Sequence, residues 1–239
     1  MSPRPFERPA TILLPDTPGL PAGASLEGLW LPARMPAEDG GDGASSDDVD
    51  LSRATPAFPA ARGGAIVAPP HPLMGGSMDS PVATEIALAA SDAGYVSLRF
   101  NWRGVGASAG RPSGEASDAD ADTLAALDFM RESVEGPILA CGYSWGSLAA
   151  FRTGIDGPRV KKLVLVAPPP SLLDRERLAR SRKSILIVTG DRDDYVPLAE
   201  LKDQIEGIDG LELVVLPGVD HFFMAGLQGL GRSVRAWLA

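Results

Sequence analysis

The feature that most constrains this chain is Gly142-Tyr143-Ser144-Trp145-Gly146, set between two apolar stretches at 137–141 and 145–152. The first stretch reads as a strand and the second as a short helix. A serine at so tight a strand-to-helix turn is forced into strained backbone angles, and its hydroxyl projects clear of the sheet. Glycine on either side lets strand and helix pass closely, because neither carries a Cβ. The serine then stands at a helix N-terminus, where free N–H groups and the helix dipole favour a developing negative charge. A Gly-x-Ser-x-Gly also arises by chance in a chain with 27 glycines, so its surroundings must decide.

Those surroundings alternate. Residues 11–14, 26–31, 65–68, 95–100, 160–167, 185–189 and 211–216 read as strands beside the 137–141 run. Helices are expected at 81–93, 118–134, 172–180, 198–205 and 224–238 as well as 145–152. Ser80-Pro81 supplies an N-cap and a first-turn proline, and Gly94 a stop. Asp118, Asp120 and Asp122 suit the positive end of the helix they open. The pattern predicts an α/β fold, a mainly parallel twisted sheet of about eight strands with helices on both faces. A single domain is expected over 1–239. Residues 33–62, rich in Ala, Pro, Gly, Ser and Asp, read as a low-complexity acidic surface insertion.

Charge narrows the partners. With 22 basic against 31 acidic residues the net charge is −9, which argues against nucleic acid or an anionic membrane. No apolar run reaches the ~18 residues of a membrane span, and 1–10 has no apolar core of a secretory signal. The single cysteine, Cys141, excludes an internal disulfide and fits a reducing compartment, so a cytoplasmic location is expected.

A serine nucleophile needs a base and a group to orient that base. Only His71 and His221 are available. In an elbow scaffold the order along the chain is serine, acid, histidine, which His221 fits and His71 does not. The intervening acid falls in Gly190-Asp191-Arg192-Asp193-Asp194-Tyr195-Val196-Pro197, where three aspartates compete. Their spacing is not that of an EF-hand calcium loop. Oxyanion donors are expected from the N–H of Trp145, directly after the serine, and of Leu73, since Pro72 has none. Gly104 to Ala109 matches a dinucleotide fingerprint, but Pro112 and Gly114 prevent the helix such a fingerprint must open. Met74, Met78, Trp102, Trp145, Phe222 and Phe223 are candidates either for an apolar pocket or for the core.

In combination, Pro70 to Gly76 (Pro-His-Pro-x-x-Gly-Gly), Arg99 to Ser108, Gly142 to Gly146 and Asp220-His221-Phe222-Phe223 closely resemble the α/β-hydrolase superfamily. More narrowly, they resemble its small cap-less bacterial members, similar to dienelactone-hydrolase-like esterases. The resemblance covers nearly the whole chain. Its Gly-x-x-Asp-x-x-Val-Pro pattern selects Asp193, with Asp194 the next choice. Ser144 stands where dienelactone hydrolases proper carry cysteine, so that particular activity is not implied. The short 168–184 segment, where larger relatives insert a lid, implies an open site. The resemblance therefore implies a carboxylic ester hydrolase acting on a small molecule through Ser144, Asp193 and His221, with the Leu73 and Trp145 amides as oxyanion hole. Such chemistry requires no metal or organic cofactor. A thioesterase, lactonase, peptidase or acyltransferase would use the same residues, and a catalytically silent binding protein would share the fold. Oligomeric state is not legible.

Overall fold

The computed structural model describes residues 7–17, 19–34 and 61–239. Eight strands form one sheet: β1 (Arg8–Leu13), β2 (Ser25–Leu31), β3 (Gly63–Ala68), β4 (Tyr95–Phe100), β5 (Ile138–Tyr143), β6 (Val160–Val166), β7 (Ser184–Gly190) and β8 (Leu211–Leu216). Their order is β1-β2-β4-β3-β5-β6-β7-β8. The β1–β2 and β2–β4 pairs are antiparallel, and every other pair is parallel. This is the fold class expected from the alternation.

Position in the sheet explains composition. The central β3 (Gly-Gly-Ala-Ile-Val-Ala) and β5 (Ile-Leu-Ala-Cys-Gly-Tyr) are buried along their whole length, as strands covered on both faces must be. Edge strand β1 instead alternates exposed and buried residues towards its end. The helices are α1 (Pro81–Asp92), α2 (Ala116–Ser133), α3 (Trp145–Gly154), α4 (Arg175–Arg180), α5 (Leu198–Ile205) and α6 (Leu227–Leu238). α1 packs on α6, and α2 packs on α3. Among the described residues no helix is long and apolar enough to cross a membrane. Burial pushes the Cys141 thiol up to about 12, which makes it a packing residue and a poor nucleophile.

Some boundaries differ from the pattern-based ones. The expected 172–180 helix is a 3₁₀ turn, Pro170–Leu172, followed by α4, because Asp174 caps the latter by accepting the Arg177 N–H at 3.0 Å. The last helix starts at Leu227 and not at 224: after Phe223, with its left-handed φ of 57°, residues 224–226 form a turn closed by Gly226 N–H donating to Phe223 O at 2.9 Å. Most of the expected 33–62 insertion lies outside the described residues. Its described ends both meet the C-terminus of α1, where Arg34 N–H donates to Ser91 O and Arg62 N–H to Gly94 O, each at 2.9 Å.

Gly104 to Ala109 forms a loop tied back to β2 and opens no helix. Ala109 N–H donates to Ser25 O at 2.9 Å, and Glu27 accepts the Ala107 N–H at 2.8 Å.

Candidate active site

Ser144 joins β5 to α3 with φ 53° and ψ −117°, a left-handed conformation that a residue with a Cβ adopts only under constraint. Two neighbouring glycines supply that constraint. A Cβ on Gly142 would lie 2.2 Å from Gly146 O, and one on Gly146 would lie 2.2 Å from Ala68 O. The turn is pinned further by Ser144 N–H donating to Val166 O at 2.8 Å and Ser147 Oγ donating to Ser144 O at 2.5 Å. As the first residue of α3, Trp145 has an N–H with no intrahelical acceptor, as every helix start does.

The loops after β7 and β8 bring the other groups in. Arg192 N–H donates to Val219 O at 3.0 Å, stitching the two loops together. Of the three aspartates, Asp191 accepts the Gly218 N–H at 2.6 Å and Asp194 is exposed. Asp193 has a fully buried side chain. Its Oδ1 accepts the N–H groups of Tyr195 (2.9 Å) and Val196 (3.0 Å). Its Oδ1 and Oδ2 lie 3.0 and 2.8 Å from His221 Nδ1. On the other side of the ring, His221 Nε2 is 3.0 Å from Ser144 Oγ. A carboxylate facing Nδ1 can only accept, so the neutral imidazole carries its proton there, and Nε2 is left to accept from the serine hydroxyl.

His71 packs beside the elbow, with its ring 4.8 Å from that of Trp145. Burial holds its pKa below the usual imidazole value, so the ring is neutral and Nδ1 accepts the Leu73 N–H at 3.2 Å. Trp102 clamps this loop by donating its Nε1–H to Pro70 O at 2.8 Å, and Asn101 Oδ1 accepts the Met78 N–H at 2.8 Å. Met78, Trp102 and Phe223 are thus core or clamp residues, whereas Met74 and Phe222 are exposed.

Comparisons with known proteins bear on the fold and the superfamily. Residues 73–173 match the family model described as serine aminopeptidase, S33. A solved α-β serine hydrolase homologue from Coxiella burnetii is 26% identical with a TM-score of 0.75, over 96% of this chain and 97% of that one. The chain belongs to the α/β-hydrolase superfamily. The same fold, in a serine hydrolase without a lid from Xanthomonas campestris, superimposes on this hydrolase with a TM-score of 0.73 at 24% identity, covering 98% and 95% of the two chains. An uncharacterised protein of Rickettsia prowazekii is 27% identical over 185 residues, 73% of this hydrolase and 77% of the relative.

Two features of the hydrolase have no counterpart in the sequence patterns. Tyr143, inside the elbow motif, donates its hydroxyl to the buried carbonyl of His221 at 2.8 Å. Burial raises the phenol above its ordinary pKa, and the Asp193 and Asp220 carboxylates raise it further, so it stays a donor. Tyr143→Phe is expected to lower kcat about tenfold, the equivalent of one lost hydrogen bond of about 1–1.5 kcal/mol, with KM nearly unchanged. Steady-state kinetics beside a thermal melt check this. A lowered Tm with kcat intact would make the bond merely structural.

The second feature is Arg103. Its Nε and Nη2 bond Asp122 Oδ1 at 3.0 and 2.8 Å, and Nη1 bonds Asp118 at 2.5 Å. Asp120 pairs with Arg152. The acids expected to serve the α2 dipole therefore anchor the 101–115 loop and α3. Burial raises Asp122 against the opposing pull of Arg103.

Proposed function

We propose that this hydrolase cleaves carboxylic esters of small molecules through an acyl-enzyme. The observation that carries the reading is the run of hydrogen bonds from Ser144 Oγ to His221 Nε2 (3.0 Å) and from His221 Nδ1 to buried Asp193 (2.8 Å). Ser144 Oγ attacks the carbonyl carbon while His221 Nε2 takes its proton. Asp193 keeps the ring in the tautomer that accepts and stabilises the imidazolium that forms. The carbonyl oxygen becomes an oxyanion held by the N–H groups of Trp145 and Leu73, each worth about 2.7–4 kcal/mol to the transition state. The Leu73 amide exchanges its 3.2 Å bond to His71 for this acceptor, a trade favoured because the oxyanion is charged. His221 then protonates the departing alcohol as the C–O bond breaks. In the second half-reaction water, deprotonated by His221, releases the acid and restores Ser144.

The family description names an aminopeptidase, and amide cleavage would use the same groups. A peptide needs polar backbone partners beyond the scissile bond, and His221 is instead flanked by the rings of Tyr195 and Phe222. That favours an ester. A cytoplasmic location is part of the same reading, supported by the single, buried cysteine.

Incubation with p-nitrophenyl acetate tests the reading. The expected result is catalytic release of p-nitrophenol and free acetate in buffer alone. Release that needs an added alcohol or amine would make the enzyme an acyltransferase. Ester binding without turnover would make it a silent binding protein.

A further inference from the structure

Most of the large apolar side chains left exposed among the described residues lie in loops that follow parallel strands, on the edge where Ser144 stands. Grouped exposure of this kind marks a surface that meets a ligand. Two of these residues touch the His221 ring directly. The Tyr195 ring lies 4.7 Å from the His221 ring, and the Phe222 ring lies 5.8 Å from it, nearly perpendicular at 85°. The two rings meet each other edge to face at 6.3 Å. Although Tyr195 is 55% and Phe222 61% exposed, His221 beneath them is only 8% exposed.

Resting on the ester-hydrolase reading, we propose that Tyr195 and Phe222 form the leaving-group subsite, which selects esters whose alcohol half is an aromatic or bulky apolar group without negative charge. The reaction itself fixes the side of the substrate. When the C–O bond breaks, the electron pair goes to the alcohol oxygen, and that oxygen takes the proton held on His221 Nε2. It must therefore come within hydrogen-bond reach of Nε2. Whatever is attached to it continues outward across the cover of the imidazole.

Tyr143 covers the inner side of His221, where its hydroxyl holds the histidine carbonyl. The outer cover is Tyr195 and Phe222. The backbone at both positions is anchored. Tyr195 N–H is held by Asp193 Oδ1 at 2.9 Å, and the residue after Phe222 is the fully buried Phe223, packed edge-on against Tyr143 at 6.1 Å.

The shelf also lacks a formal charge of its own. The Tyr195 hydroxyl has no partner among the described residues, and the charged side chains of the same two loops are the carboxylates of exposed Asp191 and Asp194, partly buried Asp220 and buried Asp193, with the guanidinium of exposed Arg192. An alcohol with an anionic tail would face those carboxylates, whereas a phenyl or cyclohexyl group finds two ring faces.

The test uses acetates of alcohols of similar acidity, ethanol and 2-phenylethanol, together with acetylcholine, on the full chain. The 2-phenylethyl ester is expected to exceed the ethyl ester in kcat/KM by about tenfold or more, the range for a phenyl-sized apolar contact. In Tyr195→Ser and in Phe222→Ser that ratio should shrink at least threefold, while the ratio of ethyl butyrate to ethyl acetate, which varies only the acyl side, stays put. A flat alcohol series, an unchanged ratio in both variants, a shift in the acyl ratio instead, or a clear preference for acetylcholine would overturn the inference. A fluorophosphonate, whose leaving group is fluoride and not an alcohol, separates this failure from a failure of the ester-hydrolase reading. Labelling of Ser144 with a flat alcohol series sinks the subsite alone, whereas absence of labelling together with absence of ester turnover sinks both.

Discussion

Asp193→Asn is expected to lower kcat by ~10⁴-fold, the loss seen when a triad aspartate is made neutral, with the fold intact. Asparagine keeps one carbonyl oxygen, which can still accept the Tyr195 and Val196 N–H groups that shape the loop. Its amide then meets His221 Nδ1, and an N–H facing that nitrogen forces the imidazole to carry its proton on Nε2. The nitrogen 3.0 Å from Ser144 Oγ becomes a donor and can no longer take the serine proton. The charge that would stabilise the imidazolium is lost as well. Asp194→Asn, at an exposed side chain, should stay within about twofold of wild type. Steady-state kinetics on both variants, with thermal melts as the folding control, decide the matter. A crippled Asp194→Asn beside a near-neutral Asp193→Asn would mean that the wrong carboxylate has been assigned.

Ser144→Ala carries the other large effect, a loss of ~10⁴–10⁶-fold in kcat. The residual rate over water should be about 10³–10⁴, supplied by the oxyanion donors and by binding. Stability should respond differently. Alanine still carries a Cβ at φ 53°, so the strain of the elbow remains, whereas Ser144→Gly relieves about 1 kcal/mol or more. The glycine variant is expected to melt above the alanine variant while both are inactive. Equal melting temperatures would show that the elbow stores no strain at this residue.

Much of this was legible in the residues because the signals are local. The elbow needs Gly142 and Gly146 within two residues of Ser144, the alternation of strand and helix shows in short apolar runs, and chain order alone separates His221 from His71. Asp193 was harder. Asp191, Asp193 and Asp194 are chemically equivalent in sequence, and they differ only in which one accepts two backbone amides and faces His221. The tie from Tyr143 to His221 spans 78 residues, and no periodicity encodes such a contact. In sequence Asp122 reads as a partner of the helix dipole because it lies near the expected helix start at 118. Its burial against Arg103 depends on how the 101–115 loop folds back onto α2, a tertiary fact. The start of the last helix is hidden for a similar reason, since the turn at Phe223 depends on what the ring packs against and not on helix propensity.

The central claim is that Ser144 is an activated nucleophile, and the most direct measurement is an intact mass after incubation with a fluorophosphonate. The expected result is one adduct per chain on the wild-type protein and none on Ser144→Ala. A folded wild-type protein that takes up no adduct, or an adduct that persists in Ser144→Ala, would contradict the account.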